Sequence, residues 1–436
     1  MAKGLRRTAF DQASYDYWTK QYGIVNVKDY GAILDGVHDD TAAIQAAWNA
    51  MGTPAQGTFY IPPGIAKISS TLNFLGGYSG AGNDSDVIST GASFRIICDG
   101  ALQPVAGIGI AVKVGEAYSP DVQLRIFGGG SSTDNAVAIT DMTGLVITVD
   151  GINFAGTVLY YDYGTNGIAR VNTVNGGRIH ALKCGAALYL SGTNGFGYID
   201  SVWDDNSSSG SVISGMEDVS IGHYENYTTI SGTSLLIENS GSIHLAIVSL
   251  GNAATTLLEV SGSGGGETVA IDRLFLIGNG SNTGLLIANS GGQVQIGNLY
   301  TETCSKGVWV QGSNLTVTQH YDQGSNNALV VDVNGTSTGN EVAVNCNYSS
   351  NVTEAVVVTT DVAGGYLQLS GNIGGTNTSG ASGIYAIDVE TSNTTFQLFL
   401  VNLIQRYGTL AGGVGIPQTS NVINSGSLIS SGIVTT

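Results

Sequence analysis

In the second half of this 436-residue chain, carboxylates, tyrosines and histidines recur at matched offsets in a series of short segments. Aligning the segments on a shared V-x-[IV] core stacks His223, Asn298, Gln319 and Cys346 in one column. Tyr224, Leu299, His320 and Asn347 fill the next, and Glu225, Tyr300, Tyr321 and Tyr348 a third. A fourth holds Asn226, Thr301, Asp322 and Ser349, with Glu302 one step further on. The preceding stretch YIDSVWDDN brings Trp203, Asp204 and Asp205 beside Tyr224, Glu225 and Asn226, to within one or two positions.

These are the residue types that handle sugars. Aromatic faces stack on sugar C–H faces, while amides, imidazoles and carboxylates bond hydroxyls. Trp203, His223, Tyr224, Tyr300, His320, Tyr321 and Tyr348 are therefore the candidate substrate-binding residues. Glycosidic hydrolysis needs two carboxyl groups, about 5–5.5 Å apart for retention or about 6.5–9.5 Å for inversion. Strands stacked at about 4.8 Å supply such separations from adjacent or alternate rungs. Asp204 or Asp205 with Glu225 is the first candidate pair, and Glu302 with Asp322 the second. A plainer reading stands beside this one. Acids at strand ends often accept hydrogen bonds from turn amides, a tyrosine column can be ordinary stacking, and His223 can point inward with both nitrogens satisfied.

β-Elimination on a uronate is the rival chemistry, needing a base at C5 and a neutralised carboxylate. Bases are scarce in the repeating region: Arg170, Arg178, Lys183, Arg273 and Lys306 are nearly the whole supply. Arg178-Ile179-His180 with Lys183 is the compact cationic group among them. No run of aspartates reads as a calcium loop, and Cys98, Cys184, Cys304 and Cys346 lack metal-like spacing, so neither metal nor cofactor is expected and the thiols read as free and buried. Hydrolysis is the favoured chemistry.

The columns exist only if something stacks the segments. A first short strand recurs as AALYL (186–190), SLLIE (234–238), TLLEV (256–260), GLLIA (284–288), GVWVQ (307–311), ALVVD (328–332), AVVVT (355–359) and YAIDV (385–389). After a Gly/Asn/Ser turn each is followed by a second, from VSIGHYEN (219–226) to FQLFLVNL (396–403). A period of about 21–30 residues of pattern, without residue identity, marks a solenoid. With 64 glycines and 42% hydrophobic residues, the chain has both turns and core for an all-β fold. With 33 acids against 15 bases, a net charge of −18 excludes nucleic acid and disfavours an anionic membrane surface. No apolar run reaches the ~20 residues of a membrane helix, and Met1–Trp18 does not read as a secretory signal.

Ahead of the repeats the text changes. Val25-Asn26-Val27 reads as a strand, and Asp29-Tyr30-Gly31-Ala32 and Asp35-Gly36 as turns. Ile44, Ala47, Trp48 and Met51 form the apolar stripe of a helix with Asp40 as its cap and Gly52 as its stop. GTFYI then ends in the Pro62-Pro63-Gly64 turn. The run VNVKDYGAILDGVHDDTAAIQAAWNA followed by GTFYIPPG resembles the N-terminal signature of the pectate-lyase-like superfamily of right-handed parallel β-helices, a signature common in phage tail spikes and capsule depolymerases. The resemblance covers about residues 24–70. It implies that the helix caps one end of the solenoid and that Asp29, Asp35, Asp39 and Asp40 are structural. It implies, further, a homotrimeric tail spike in the virion, attached to other tail or baseplate proteins and acting outside the cell on a capsule or O-antigen. The organisation expected is an attachment segment (1–22), a capping helix with first strands (23–70), a β-helix body (71–407) and a tail or small trimerisation element (408–436). A polysaccharide lyase and a non-catalytic glycan-binding adhesin remain as alternatives on the same fold.

Overall fold

The computed structural model describes residues 23–77, 93–128, 134–140, 142–162, 173–192, 195–227, 231–251, 255–262, 268–288, 292–312, 314–332, 340–349, 355–359, 365–374, 387–389, 396–406 and 421–424. The attachment segment 1–22, the last body residue Tyr407 and, apart from Asn421–Asn424, the tail 408–436 lie outside them. The chain divides into two compact units, one ending at Gly185 and the other beginning at Ala186.

The first unit opens with strand Ile24–Asn26, which pairs in parallel with Gln56–Ile61 through Ile24 opposite Thr58. A single 3-10 turn, Val27–Tyr30, ends at Gly31 with φ of 96°. Helix Thr41–Asn49 buries Ile44, Ala47 and Trp48, and Met51 just beyond it is buried too, so the predicted stripe is the packed face. Trp48 is its anchor: its ring lies 4.8–5.4 Å from Phe59, Phe74 and Phe94, and its Nε1–H donates to the Leu75 carbonyl at 3.2 Å.

The cap differs from expectation. The Asp40 carboxylate accepts from the Ile33 N–H at 2.7 Å and the Leu34 N–H at 3.1 Å, tying the incoming loop and leaving the helix amides alone. Asp39 accepts the Thr41 N–H at 3.0 Å instead. Asp35 accepts the amides of Val37 and His38 at 2.8 and 2.9 Å, the turn role predicted, and these bonds lower its pKa to about 2. From here Gln56–Ile61, Ser93–Cys98, Asp121–Phe127, Met142–Ile152 and Thr173–Leu182 stack as successive parallel strands.

In the second unit the two recurring segments become two parallel stacks, as the repeat requires. Short strands run from Ala186–Ser191 through Thr233–Glu238 and Lys306–Gln311 to Ile387–Val389, each pairing with the next of its kind. Long strands run from Gly195–Asp205 through Glu217–Asn226, Gly241–Gly251, Thr268–Ile277, Gln293–Glu302, Asn314–Gln323, Asn340–Ser349 and Gly365–Gly374 to Phe396–Arg406. Asn421–Asn424 pairs with Gln397–Leu400, so part of the predicted tail continues the body. The core is the aliphatic inner face of each rung, such as Val219, Ile221, Leu235 and Ile237, all at most 1% exposed. All four cysteines are free and buried, and burial pushes Cys304 and Cys346 up to about 12.

The long strands from Gly195–Asp205 to Asn314–Gln323 each carry a corner, whereas Asn340–Ser349 alternates straight through, burying Val342, Val344, Cys346 and Tyr348. Ile199, Ile221, Leu245, Ile271 and Ile296 pair across rungs, the following residue is skipped, and pairing resumes at Ser201, His223, Ile247, Arg273 and Asn298. Two skipped residues are glycines, for a steric reason. A Cβ on Gly222 would meet the Asp200 carbonyl oxygen at 2.6 Å, and one on Gly297 the Asp272 carbonyl oxygen at 2.5 Å.

Candidate functional site

The corner decides which side chains reach solvent. In Glu217–Asn226, Val219 and Ile221 face the core, Gly222 turns, and Tyr224 and Asn226 then face the core while His223 and Glu225 face out. Uninterrupted alternation from Ile221 would place His223 inside and Tyr224 outside; the corner inverts the order. The rung register then carries the column Trp203, Glu225, Ser249, Phe275, Tyr300 and Tyr321, each opposite the next, outward except for the buried Ser249. Trp203, Phe275 and Tyr321 are 44%, 40% and 37% exposed.

Most of the predicted columns match this register, and two parts need correction. Trp203 lies opposite Glu225 and Asp204 opposite Asn226, one position from the nominal alignment. In the rung Asn340–Ser349 the spacing between Val344 and Cys346 is one residue shorter than between Val317 and His320. Cys346 therefore sits opposite His320, Asn347 opposite Tyr321, Tyr348 opposite Asp322 and Ser349 opposite Gln323.

The Asp204–Glu225 and Glu302–Asp322 pairings are split between the two faces of the sheet, which leaves Asp205 as the partner for Glu225. Asp204 is fully buried while Glu225 faces out, and Asp322 is 2% exposed while Glu302 lies on the outer side opposite Gln323. Tyr224, His320 and Tyr348 are fully buried as well, so these three do not form a sugar platform. Of the predicted site residues, Trp203, Asp205, His223, Glu225, Tyr300, Glu302 and Tyr321 occupy outward or half-buried positions.

On the outer face the His223 Nε2 lies 3.5 Å from a Glu225 oxygen, and its ring is 6.4 Å from Trp203. Phe275 and Tyr300 lie 6.4 Å apart at 47°. The Tyr300 hydroxyl donates to Glu302 at 2.9 Å, and burial together with that carboxylate raises its pKa. Phe275 belongs to the same face and was not singled out from the sequence, and Arg273 beside it was noted there only as one of the few bases. For Phe275 the column position was the available signal.

The buried groups form two interior networks. Asp204 accepts from the Ala187 N–H at 3.2 Å, from the Ser207 and Ser211 hydroxyls and from Tyr224 at 3.4 Å. Desolvation outweighs these bonds and pushes its carboxyl up to about 6. In the second network Thr301 donates to Asp322, so its oxygen accepts from His320 Nε2–H at 2.8 Å. His320 Nδ1, left as the acceptor, takes the Tyr348 hydroxyl proton at 3.0 Å. Burial lowers His320 to about 3, in keeping with a neutral ring.

The first unit carries a separate cluster. Asp150 lies 3.6 Å from Arg125, 3.4 Å from Arg178 and 3.8 Å from His180 Nδ1. Strand stacking makes this group: Arg125, Asp150 and His180 are successive members of one column, and Arg178 stands two residues from His180. The sequence pointed to Arg178 and His180 but not to Arg125 or Asp150. Arg170 lies outside the described residues. Among the described residues no group of three or more His, Cys, Asp or Glu is arranged to hold a metal.

Residues 24–108 match the family model described as Rhamnogalacturonase A/epimerase, pectate lyase-like, which extends the stretch carrying the N-terminal signature. Over 92 residues the chain is 39% identical to mannuronan C5-epimerase AlgE6 of Azotobacter vinelandii, a match covering 19% of this chain and 10% of that protein. AlgE4 of the same organism is 51% identical over 45 residues, 10% of this chain and 8% of its own length. The chain thus spans about a tenth or less of these relatives. Among solved structures, the AlgE4 A-module aligns over 94% of this chain and 99% of its own, with TM-score 0.42 and 14% identity. An exopolygalacturonase from Thermotoga maritima aligns over 92% and 91%, with TM-score 0.37 and 10% identity.

Proposed function

We propose that this chain binds a bacterial surface polysaccharide, a capsule or O-antigen, along the outer face of its second unit and cleaves it by glycosidic hydrolysis. The observation that carries this reading is the column Trp203, Glu225, Ser249, Phe275, Tyr300, Tyr321, paired rung to rung, which sets exposed or half-buried aromatic faces and a carboxylate on either side of the buried Ser249. A linear glycan lying along such a column meets stacking surfaces at rung spacing, with His223, Arg273 and Asn298 alongside for its hydroxyls.

Asp205 and Glu225 are the carboxylates proposed for catalysis. Asp205 follows Asp204, which lies opposite Asn226, so Asp205 and Glu225 are diagonal neighbours on one face. With strands ~4.8 Å apart and ~6.6 Å between residues two apart, the diagonal is about 8 Å. That is the spacing of the two backbone positions, from which the side chains can bring their carboxyl groups to the about 6.5–9.5 Å used for inversion. In this reading one carboxyl protonates the leaving oxygen while the other, as base, takes a proton from the attacking water. Glu302, held by Tyr300, is the further outward carboxylate for a distal sugar.

The finer reading is a homotrimeric phage tail spike attached through residues 1–22 to other tail proteins, and it rests on the N-terminal signature. A non-catalytic adhesin on the same face is the second reading, favoured by the absorption of Asp204 and Asp322 into interior networks. Incubation with a panel of capsules and lipopolysaccharides distinguishes the outcomes. Hydrolysis releases reducing ends without the ultraviolet absorbance of unsaturated uronates, and Glu225→Gln abolishes the release while retaining binding. Growth of that absorbance means a lyase, and retention without cleavage means an adhesin.

A further inference from the structure

The first unit presents a cation-rich face that the proposed function does not use. Its outer surface reads as a grid fixed by strand pairing. Gln123, Thr148 and Arg178 form one column, Arg125, Asp150 and His180 the next, and Phe127, Ile152 and Leu182 the third. The apolar column is half-buried, a strip of side chains at sheet spacing beside the cations.

Charge makes the middle of this grid unusual. The chain has 15 bases against 33 acids, yet here two guanidinium groups and an imidazole converge on a single carboxylate. The three separations, 3.4–3.8 Å, exceed those of tight ion pairs, and both arginine side chains are half exposed, 51% and 53%. An arginine offers five donors in a planar fork, and Asp150 engages each at long range through one terminal nitrogen. Asp150 thus orients the cations without using up their donors, and the cluster keeps a net positive charge. Surplus donors on two forks, directed by a fixed carboxylate and flanked by an apolar strip, match one kind of ligand: a sugar ring bearing a carboxylate, its charge on the guanidinium forks and its C–H face on the strip.

We infer that the outer face of the first unit holds a second glycan-binding site, selective for an acidic sugar residue, with Arg125 and Arg178 gripping the carboxylate, His180 supporting it and Asp150 positioning all three. The site lies outside residues 24–108, within the first unit.

The test is calorimetric titration of the full chain with a tetrasaccharide of galacturonic acid and with its carboxyl-reduced, neutral counterpart. The acidic probe is expected to bind at least ~10-fold more tightly than the neutral one, and Arg125→Gln and Arg178→Gln to weaken it ~10-fold or more each, the size of one charge-assisted hydrogen bond. Binding should weaken as salt rises. Both arginines are half exposed, so unchanged thermal midpoints are expected to accompany the loss. Equal binding of the two probes, or wild-type affinity in both arginine variants, overturns the inference. Trp203→Ala separates the two faces: loss of acidic-probe binding in that variant alone would move the acid site to the second unit, overturning this inference while leaving the proposed function standing.

Discussion

Asp204→Asn should change how the stability of the second unit responds to pH, and the direction follows from burial. The Asp204 carboxyl, ordinarily near 3.8, stands at about 6 in the folded chain because desolvation outweighs its four donors. Between those values the folded state holds a proton that the unfolded state has released, so the group's contribution is full below 3.8 and is lost as pH rises through about 6. The difference corresponds to about 3 kcal/mol. His320 works in the opposite sense. Its value drops from 6.5 to about 3, so its contribution is present at neutral pH and disappears on acidification. By the same arithmetic that is about 5 kcal/mol, the larger of the two. The wild-type profile should therefore fall on acidification, with Asp204 blunting the fall. Asp204→Asn removes the blunting. The decisive quantity is the difference between variant and wild type, measured as unfolding midpoints in urea at steps from about pH 4 to about pH 7, which cancels every other titrating group. The variant should gain on wild type by ~3 kcal/mol across that range. A difference that is flat in pH, or that slopes the other way, would refute the assignment of Asp204 as a buried, proton-retaining carboxyl.

Three further outcomes follow from single contacts. Trp203→Ala, truncating a 44% exposed side chain, should weaken retention on the cognate polysaccharide ~10-fold, read by surface plasmon resonance, while shifting stability by less than about 0.5 kcal/mol. Tyr348→Phe leaves His320 Nδ1 buried without its donor at 3.0 Å and should cost about 1–3 kcal/mol by chemical unfolding, with glycan retention unchanged. Gly297→Ala drives a methyl to within 2.5 Å of the Asp272 carbonyl oxygen and should lower the thermal midpoint by an amount equivalent to about 1–3 kcal/mol, whereas Gly241→Ala, with open space around it, should lack that steric cost.

What the sequence showed and what it hid have a common physical source. The rungs were legible because aliphatic side chains at alternate positions mark a buried strand face, and Val219/Ile221, Ile243/Leu245 and Val294/Ile296 all repeat that mark. The N-terminal helix was legible for the same reason, through Ile44, Ala47 and Trp48. The cap was not, since Asp39 and Asp40 are adjacent and chemically identical, and only the loop at Ile33–Leu34 decides which of them faces the helix.

The site depended on something that composition does not record. A corner residue carries no consistent chemistry: Asp200, Gly222, Ala246, Asp272 and Gly297 hold equivalent positions. Each nonetheless inverts which of its followers face the core. A reader who carries the alternation straight through Glu217–Asn226 preserves the column membership as far as Asn314–Gln323, since those rungs invert together, and still assigns the wrong face; in Asn340–Ser349, which has no corner, the membership slips by one. Glu225 and Tyr300 therefore stand in the predicted column, while Tyr224, Asp204, His320 and Asp322 stand inside. The interior after the corner then admits polar groups only where they can satisfy one another, as Asp204 does with Ser207, Ser211 and Tyr224, and His320 with Thr301 and Tyr348. A histidine or aspartate that follows a corner residue at the parity of a core valine is thus a structural polar group, and the chemistry open to solvent belongs to its immediate neighbours. By that rule the carboxylates proposed to meet the glycan are Asp205, Glu225 and Glu302, one step away from the buried Asp204, Tyr224 and Thr301.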